Sequence, residues 1–346
     1  MSGHGFSRAV KTQENDPSSP PAGLARSNAK RETLILQSEA KAAGHNGRMK
    51  TTPRSVRLYA ILARKSPVAV VFRRGPSNSV LLIKWNTADD TFEHGQWLRG
   101  RIYERRCDLS PDGDLLLYFA ANYREPLRSW SAISRPPFLK ALALWPKGDG
   151  WGGGGHFQSH SRIALSHRAG EMALAPGFSV PRWLKVRPFG DRPGWGEDDP
   201  VWSERLLRDG WKLISVPTEA KDDFDAKVWW EPSPPIVWRK PNPVCPKLYS
   251  LDMAIVGIKE RDGPWYLTEH TVTRENGDSD KLGRSDWADW SHTGDLLFSM
   301  GGCLYRVPCR KKILAPIEDA VKVADFTNLK FEPIKAPDVA TRWPKR

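Results

Sequence analysis

Cysteine is scarce in this chain: four in 346 residues, at positions 107, 245, 303 and 309, too few and too scattered to staple a protein of this length. A disulfide scaffold is excluded, and reduced thiols are expected. Cys303 and Cys309 have no second cluster of ligands near them in sequence, so no zinc site is expected either. Long apolar runs are missing as well. No stretch reaches the roughly 18 residues that a membrane-spanning helix needs. The first 21 residues hold no apolar core followed by a small-residue cleavage site. The expected address is the cytoplasm, with no membrane partner. Charge of one sign is not concentrated: 53 Lys and Arg stand against 40 Asp and Glu, a net +13, yet no block of five basic residues occurs. A dispersed basic surface favours polyanions in general. Without the aromatic and basic sheet motif of a single-strand reader, a nucleic-acid partner is not expected.

Chemical motifs are equally sparse. No Gly-x-Ser-x-Gly elbow is present to raise a serine nucleophile. Residues 147–157 read Lys-Gly-Asp-Gly-Trp-Gly-Gly-Gly-Gly-His-Phe but lack the Gly-Lys-Ser/Thr ending that would hold a phosphate, so they are read as a flexible loop around Trp151. His156, His160 and His167 include a His-x-x-x-His spacing that suits a metal only on a helix. The glycines before it and the serines inside it oppose a helix. No metal and no cofactor are expected.

What the chain does have is turns and tryptophan. Sixteen Trp within a 39% apolar composition can build a core, and 28 Gly with 29 Pro imply many turns and few long helices. The expected class is all-β. The most informative stretch is 106–118. In it Cys107 and Leu109 alternate with Asp108 and Ser110, Pro111-Asp112-Gly113 writes a tight turn, and residues 115–119 run apolar. An echo returns at 288–298, Ala-Asp-Trp-Ser-His-Thr-Gly-Asp-Leu-Leu-Phe. Aligning Gly294 with Gly113 matches Asp289 to Asp108, Ser291 to Ser110, Asp295 to Asp114, and Leu296-Leu297 to Leu115-Leu116. A weaker third copy is read at 206–215, with Arg208-Asp209-Gly210 as its turn and Leu213-Ile214 resuming the strand. The three turn glycines fall 97 and 84 residues apart, about twice the ~40–45 residues of a four-stranded blade.

These windows resemble the repeat of TolB-type, WD40-like β-propellers, whose blades carry a Ser-Pro-Asp-Gly turn followed by an apolar strand. The resemblance implies a β-propeller of about six four-stranded blades, with five as the alternative. It implies no activity, since propellers host scaffolds, lectins and hydrolases alike.

The chain then divides into three parts. Residues 1–53, rich in Ser, Pro, Gly, Lys and Ala, are expected to be a disordered extension. Because Met49 stands just before the first strand-like segment, residues 1–48 also read as an extension upstream of the true start. Residues 54–330 are the propeller, and 331–346 a polar tail. Strands are expected at 56–62, 68–72, 80–85 and 91–102, then in the motif, and a strand or short helix at 139–145. Two short strands flank Pro232-Ser233-Pro234-Pro235, and a hairpin turns at Asp262-Gly263-Pro264.

Residues 189–202 form the segment with the most unusual chemistry. Glu197, Asp198 and Asp199 sit between Trp195 and Trp202 in a Gly- and Pro-rich loop, ahead of an expected strand. Carboxylates beside indole rings suit a sugar or a cation, so Trp195, Glu197, Asp198, Asp199 and Trp202 are the candidate ligand-binding residues. The plainer reading is turn chemistry with tryptophans capping a blade edge. Acid catalysis would draw its two carboxyls from Glu197, Asp198, Asp199, Asp286 and Asp289; no catalytic residue is assigned. The expectation is a monomeric, non-enzymatic scaffold that binds another protein or a small ligand. A carbohydrate-binding or glycoside-cleaving propeller comes second, and a nucleic-acid binder third.

Overall fold

The computed structural model describes residues 56–345 apart from 77 and 192, and what was expected of residues 1–53 lies outside them. The fold is all-β. The first sheet is an antiparallel meander of β1 (Arg57–Leu62), β2 (Val68–Arg74), β3 (Ser79–Asn86) and β4 (Thr91–Arg99). The second holds β5 (Arg101–Ile102), β6 (Asp108–Leu109), β7 (Leu116–Ala121), β8 (Ser129–Ser134) and β9 (Ala141–Pro146), with β5 and β6 both pairing β7. In the third, β10 (Gly155–Ser159) pairs antiparallel with β11 (Arg162–Leu165), which pairs parallel with β12 (Lys185–Pro188). Helix α1 (Val201–Arg208) follows, the one α-helix among the described residues.

The fourth sheet takes seven strands: β13 (Lys212–Ser215), β14 (Glu219–Asp222), β15 (Val228–Ser233), β16 (Ile236–Pro241), β17 (Tyr249–Glu260), β18 (Tyr266–Arg274) and β19 (Ser279–Arg284). The fifth is built from β20 (Trp287–Trp290), β21 (Leu296–Met300), β22 (Cys303–Val307) and β25 (Val321–Asp325). Between its last two strands lies a ribbon of β23 (Cys309–Arg310) and β24 (Ile313–Leu314).

Apolar side chains join these sheets pairwise. Val70, Phe72 and Leu82 of the first sheet pack with Leu116, Tyr118 and Trp130 of the second. The other face of the second sheet, with Leu117, Ile133 and Trp145, packs on Phe157, Ile163 and Leu165 of the third. Helix α1 bridges the next junction: Val201 packs with Ala164 and Phe189 on the third-sheet side, while Trp202 and Leu206 join Trp238, Leu251 and Met253 of the fourth. That cluster runs on into Trp290, Leu296 and Phe298 of the fifth. The fifth in turn shares Trp287, Leu297 and Leu304 with Leu58, Ala69 and Leu81 of the first. The last contact is also polar: Ser299 Oγ donates to the Leu58 carbonyl at 2.8 Å, and buried Arg73 Nε to the Phe326 carbonyl at 3.0 Å.

The two stronger motif copies form corresponding hairpins. Gly113 N–H donates to the Ser110 carbonyl at 2.9 Å and Gly294 N–H to Ser291 at 3.0 Å, with φ of +81° and +86°. Each serine hydroxyl then accepts the backbone N–H that opens the return strand, Leu115 in one and Asp295 in the other, both at 3.0 Å. The first turn is one residue longer, since Leu109 faces Leu116 whereas Trp290 faces Leu296.

Three local readings change. After Asp199 the chain forms α1, not a strand: Trp202, Arg205 and Leu206 are buried at helical spacing, and the pattern is masked because one of the three is an arginine. Gly210, with φ +91°, therefore follows the end of a helix and not a first motif strand. β15 and β16 do not pair with each other across their proline turn. Both pair with β17, β16 along Ser250 to Ile255 and β15 at Ile258 and Glu260, so the twelve-residue strand carries them in tandem. Residues 139–145 resolve as the strand β9. Beyond residue 330 the chain lies along the body: Gln96 Nε2 donates to the Ile334 carbonyl at 2.8 Å, and the rings of Trp343 and Trp183 meet at 5.9 Å.

Candidate functional site

The acidic loop meets the glycine run at Arg106. Its buried guanidinium donates from Nε to Asp198 Oδ1 at 2.9 Å, and from Nη1 to the carbonyls of Gly150 and Gly152, both at 2.6 Å. Rings of Tyr103 and Phe119 lie 4.6 and 5.3 Å from its central carbon. Backbone approaches this closely because side chains are absent: a Cβ on Gly154 would stand 1.9 Å from the Arg106 carbonyl oxygen. The glycine run is thus a packed wall, and the flexible-loop reading gives way to it. Burial works against the Asp198 charge, but Arg106 and Arg105 override it and hold the carboxyl below its ordinary range.

Trp195 is 58% exposed, with the Arg168 guanidinium 4.5 Å from its ring centre. Asp199, next to the helix start, has its carboxyl raised by desolvation, against a hydrogen bond from Ser203 and with the Asp198 charge adding to the rise. Glu197 lies close enough to Tyr266 for its charge to act on that phenol. Trp202 is buried on α1, with the Arg105 guanidinium 3.9 Å above its ring. The charges of Glu197, Asp198 and Asp199 all act on Tyr266, whose ring lies 5.6 Å from that of Trp202, and Asp198 lines a small cavity there.

A larger cavity, of about 420 Å³, lies between β1, α1, the end of β16 and β20. Its walls carry Arg64, Arg105, Arg205, Arg208 and Lys240 against Asp209, Asp286 and Asp289. Several of these charges are fixed in place. Arg208 forks onto buried Asp108 with contacts of 2.6 and 3.0 Å, and reaches Asp209 at 2.8 Å. Burial opposes the Asp108 charge, yet Arg208 holds that carboxyl below its usual range, and the same Asp108 accepts the Phe157 N–H of the third sheet at 2.7 Å. Lys240 Nζ donates to Asp289 at 2.6 Å. Asp108 and Asp289, aligned in the two motif copies, therefore each bury a carboxylate against a cation from a later or earlier element. Arg205 donates to the Tyr59 hydroxyl at 2.6 Å and to the Cys107 carbonyl.

Asp286 is different. Among the described residues its Oδ2 accepts only a long 3.4 Å bond from Leu58 N–H, and burial pushes its carboxyl up to about 6. It lines both this cavity and a second one of about 70 Å³, as do Tyr59 and Arg105. Three histidines are buried away from solvent: His156, His167 and His270, lowered by desolvation to about 4, 4 and 3. His167 Nε2 meets Ser131 Oγ at 2.8 Å and His270 Nδ1 meets Ser285 Oγ at 2.7 Å, which places both in packing roles. Among the described residues no three His, Cys, Asp or Glu side chains cluster in a way that would hold a metal, and no helix is long and apolar enough to cross a membrane.

Sequence reasoning missed Arg105, Arg205 and Arg208. The usable signal was the pair Arg205 and Arg208 three residues apart, which share a helix face once 201–208 is read as a helix. Arg105 had no signal beyond its place beside the motif. Comparison of the sequence with known protein-family models finds no match, and comparison with curated proteins finds none either.

Proposed function

We propose that the chain is a five-bladed β-propeller of the TolB-like kind, working as a non-enzymatic binding scaffold that holds a small polar ligand in its larger cavity. The cyclic order of shared cores supports the ring, first sheet to second, on through α1 to the fifth, and back to the first. Five sheets of three or more strands favour five blades over six. β1, β6, β10, β13 and β20 each stand at an end of their sheet's pairing or beside it, as inner strands of blades do.

The observation that carries the binding role is the cavity itself: about 420 Å³, walled by β1 of the first sheet, β20 of the fifth and α1, within the size range of small-molecule sites. Its test is a thermal-shift screen of small polar compounds, followed by hydrogen exchange on any hit. A ligand that protects β1 and β20, and is weakened at least tenfold by Arg64→Glu, supports the reading. A ligand that protects neither strand, or binds that variant equally, overturns it.

A second reading, glycoside cleavage, draws on Asp286 and Asp289 sharing one cavity with both carboxyls raised by burial. Such enzymes need one carboxyl kept protonated as an acid. Aryl-glycoside hydrolysis that disappears in Asp286→Asn would favour this over a passive scaffold.

A further inference from the structure

We propose that the smaller cavity is a binding site for a tetrahedral oxyanion, a phosphate or sulfate group, held by Arg57, Arg74, Arg101 and Arg105. The cavity holds about 70 Å³, more than twice the ~30 Å³ that one water takes up in the liquid. Four arginines line it: Arg57 opening β1, Arg74 ending β2, Arg101 in β5, and Arg105 just ahead of the motif.

Two of the four are short of partners. Arg105 is 6% exposed and its Nη1 is buried with no hydrogen-bond acceptor among the described residues. The rings of Trp202 and Tyr266 lie 3.9 and 3.7 Å from its central carbon, which fixes the guanidinium plane while leaving that N–H unmet. Arg101 Nε is likewise buried and unmet among the described residues, its guanidinium 4.2 Å from the Tyr103 ring. A buried donor without an acceptor is costly and uncommon in a native fold, and a bound ion is one of the standard reasons for it.

The four arginines outnumber the three acids in the lining, Glu104, Asp198 and Asp286. Asp198 gives its Oδ1 to Arg106, while its charge also acts on Arg105 and Arg101. Glu104 makes a loose ion pair with Arg74 at 3.8 Å, beyond hydrogen-bond reach. Asp286 is the third, sharing its Oδ2 with Leu58 N–H. Planar forks of two N–H donors match the oxygens of phosphate and sulfate, and Arg is the residue that supplies them. Because the two cavities share Tyr59, Arg105 and Asp286, an anionic group seated here would direct the rest of a larger ligand into the larger cavity; that extension rests on the scaffold reading, whereas the oxyanion site stands without it.

The test is calorimetric titration of the whole chain with inorganic phosphate and with inorganic sulfate, acetate serving as a planar anion. Saturable binding of phosphate or sulfate, at least tenfold tighter than acetate and lost at least tenfold in Arg57→Gln/Arg101→Gln, is expected. Arg101→Lys, which keeps the charge and loses the fork, is expected to fall between. Circular dichroism of each variant separates loss of binding from loss of fold. No saturable binding to the parent, or equal binding to the well-folded double variant, overturns the proposal. A small polar ligand that binds the larger cavity while neither inorganic anion binds overturns the oxyanion site and leaves the scaffold reading standing.

Discussion

Arg106 and Asp198 meet at 2.9 Å across ninety-two residues of chain, with the arginine almost wholly buried and the acid nearly so. Removing one member of a buried pair strands the other, at a typical cost of ~3–5 kcal/mol, while replacing both by apolar groups of similar size costs far less. Arg106→Leu is therefore expected to be strongly destabilised in urea denaturation, and Arg106→Leu/Asp198→Leu less so than the single variant. Equal loss in the two would mean that the carbonyls of Gly150 and Gly152, not the carboxylate, hold the arginine.

The motif glycines separate strain from collision. Gly113 and Gly294 have positive φ and no room: an added Cβ would stand 2.8 Å from Val68 and 2.9 Å from Asn242. Gly210 has φ +91° with nothing within 4 Å. Replacement by alanine should cost Gly210 only the backbone penalty, about 1 kcal/mol. Gly113 and Gly294 should lose more, about 2–3 kcal/mol once the collision is added. Thermal melts that rank Gly210→Ala as the worst of the three would reverse this account.

Acid titration should show two opposed effects. The Asp198 carboxyl is held low in the fold, so its stabilisation is present above the unfolded value of ~3.9 and disappears as pH falls through the lower folded value. Asp286 sits high, at about 6. Between pH ~4 and ~6 the native state then holds more protons there than the unfolded chain does, and this group favours folding increasingly as pH falls through that window. Asp286→Asn should flatten the slope between pH 4 and 6 and leave the steep loss below pH 4 in place. An unchanged slope would show that Asp286 titrates normally.

Thiol chemistry should single out one cysteine slowly. Cys107, Cys245 and Cys303 are buried, whereas Cys309 is half-buried with its Sγ 4.0 Å from that of Cys245. Burial and the neighbouring thiol push Cys309 up to about 11, so little thiolate exists near neutral pH. Alkylation of the native protein should mark Cys309 first, with a rate rising about tenfold per pH unit from pH 7 to 10. Rapid labelling at pH 7 would contradict that.

How much of this was legible in the sequence depends on where the information sat. Ser110 and Gly113 act on neighbours within five residues, so their turn could be read directly, and its echo at Ser291 and Gly294 with it. Strand positions followed from apolar runs bounded by turn residues, as in the hairpin of β17 and β18 that turns at Asp262-Gly263-Pro264. Arg205 could not be placed by pattern. A cation on the buried face of a short helix breaks the apolar period, and its partners Tyr59 and Cys107 lie about a hundred residues or more away. The same holds for the acidic loop. Its carboxylates were visible as a cluster, but what Asp198 meets is decided by Arg106, and the glycines that admit Arg106 read as slack when their bareness allows close packing.

The bond from Ser299 to the Leu58 carbonyl spans 241 residues. β1 leaves the ribosome early, yet its partners Trp287, Leu297 and Leu304 exist only when most of the chain has been made. During synthesis the apolar face of β1 must wait uncovered, at elongation speeds of ~5–20 residues per second, for ten seconds or more. Long-range closure of this kind also slows refolding from denaturant, and a chain cut short before β21 carries its exposed first sheet as a permanent condition.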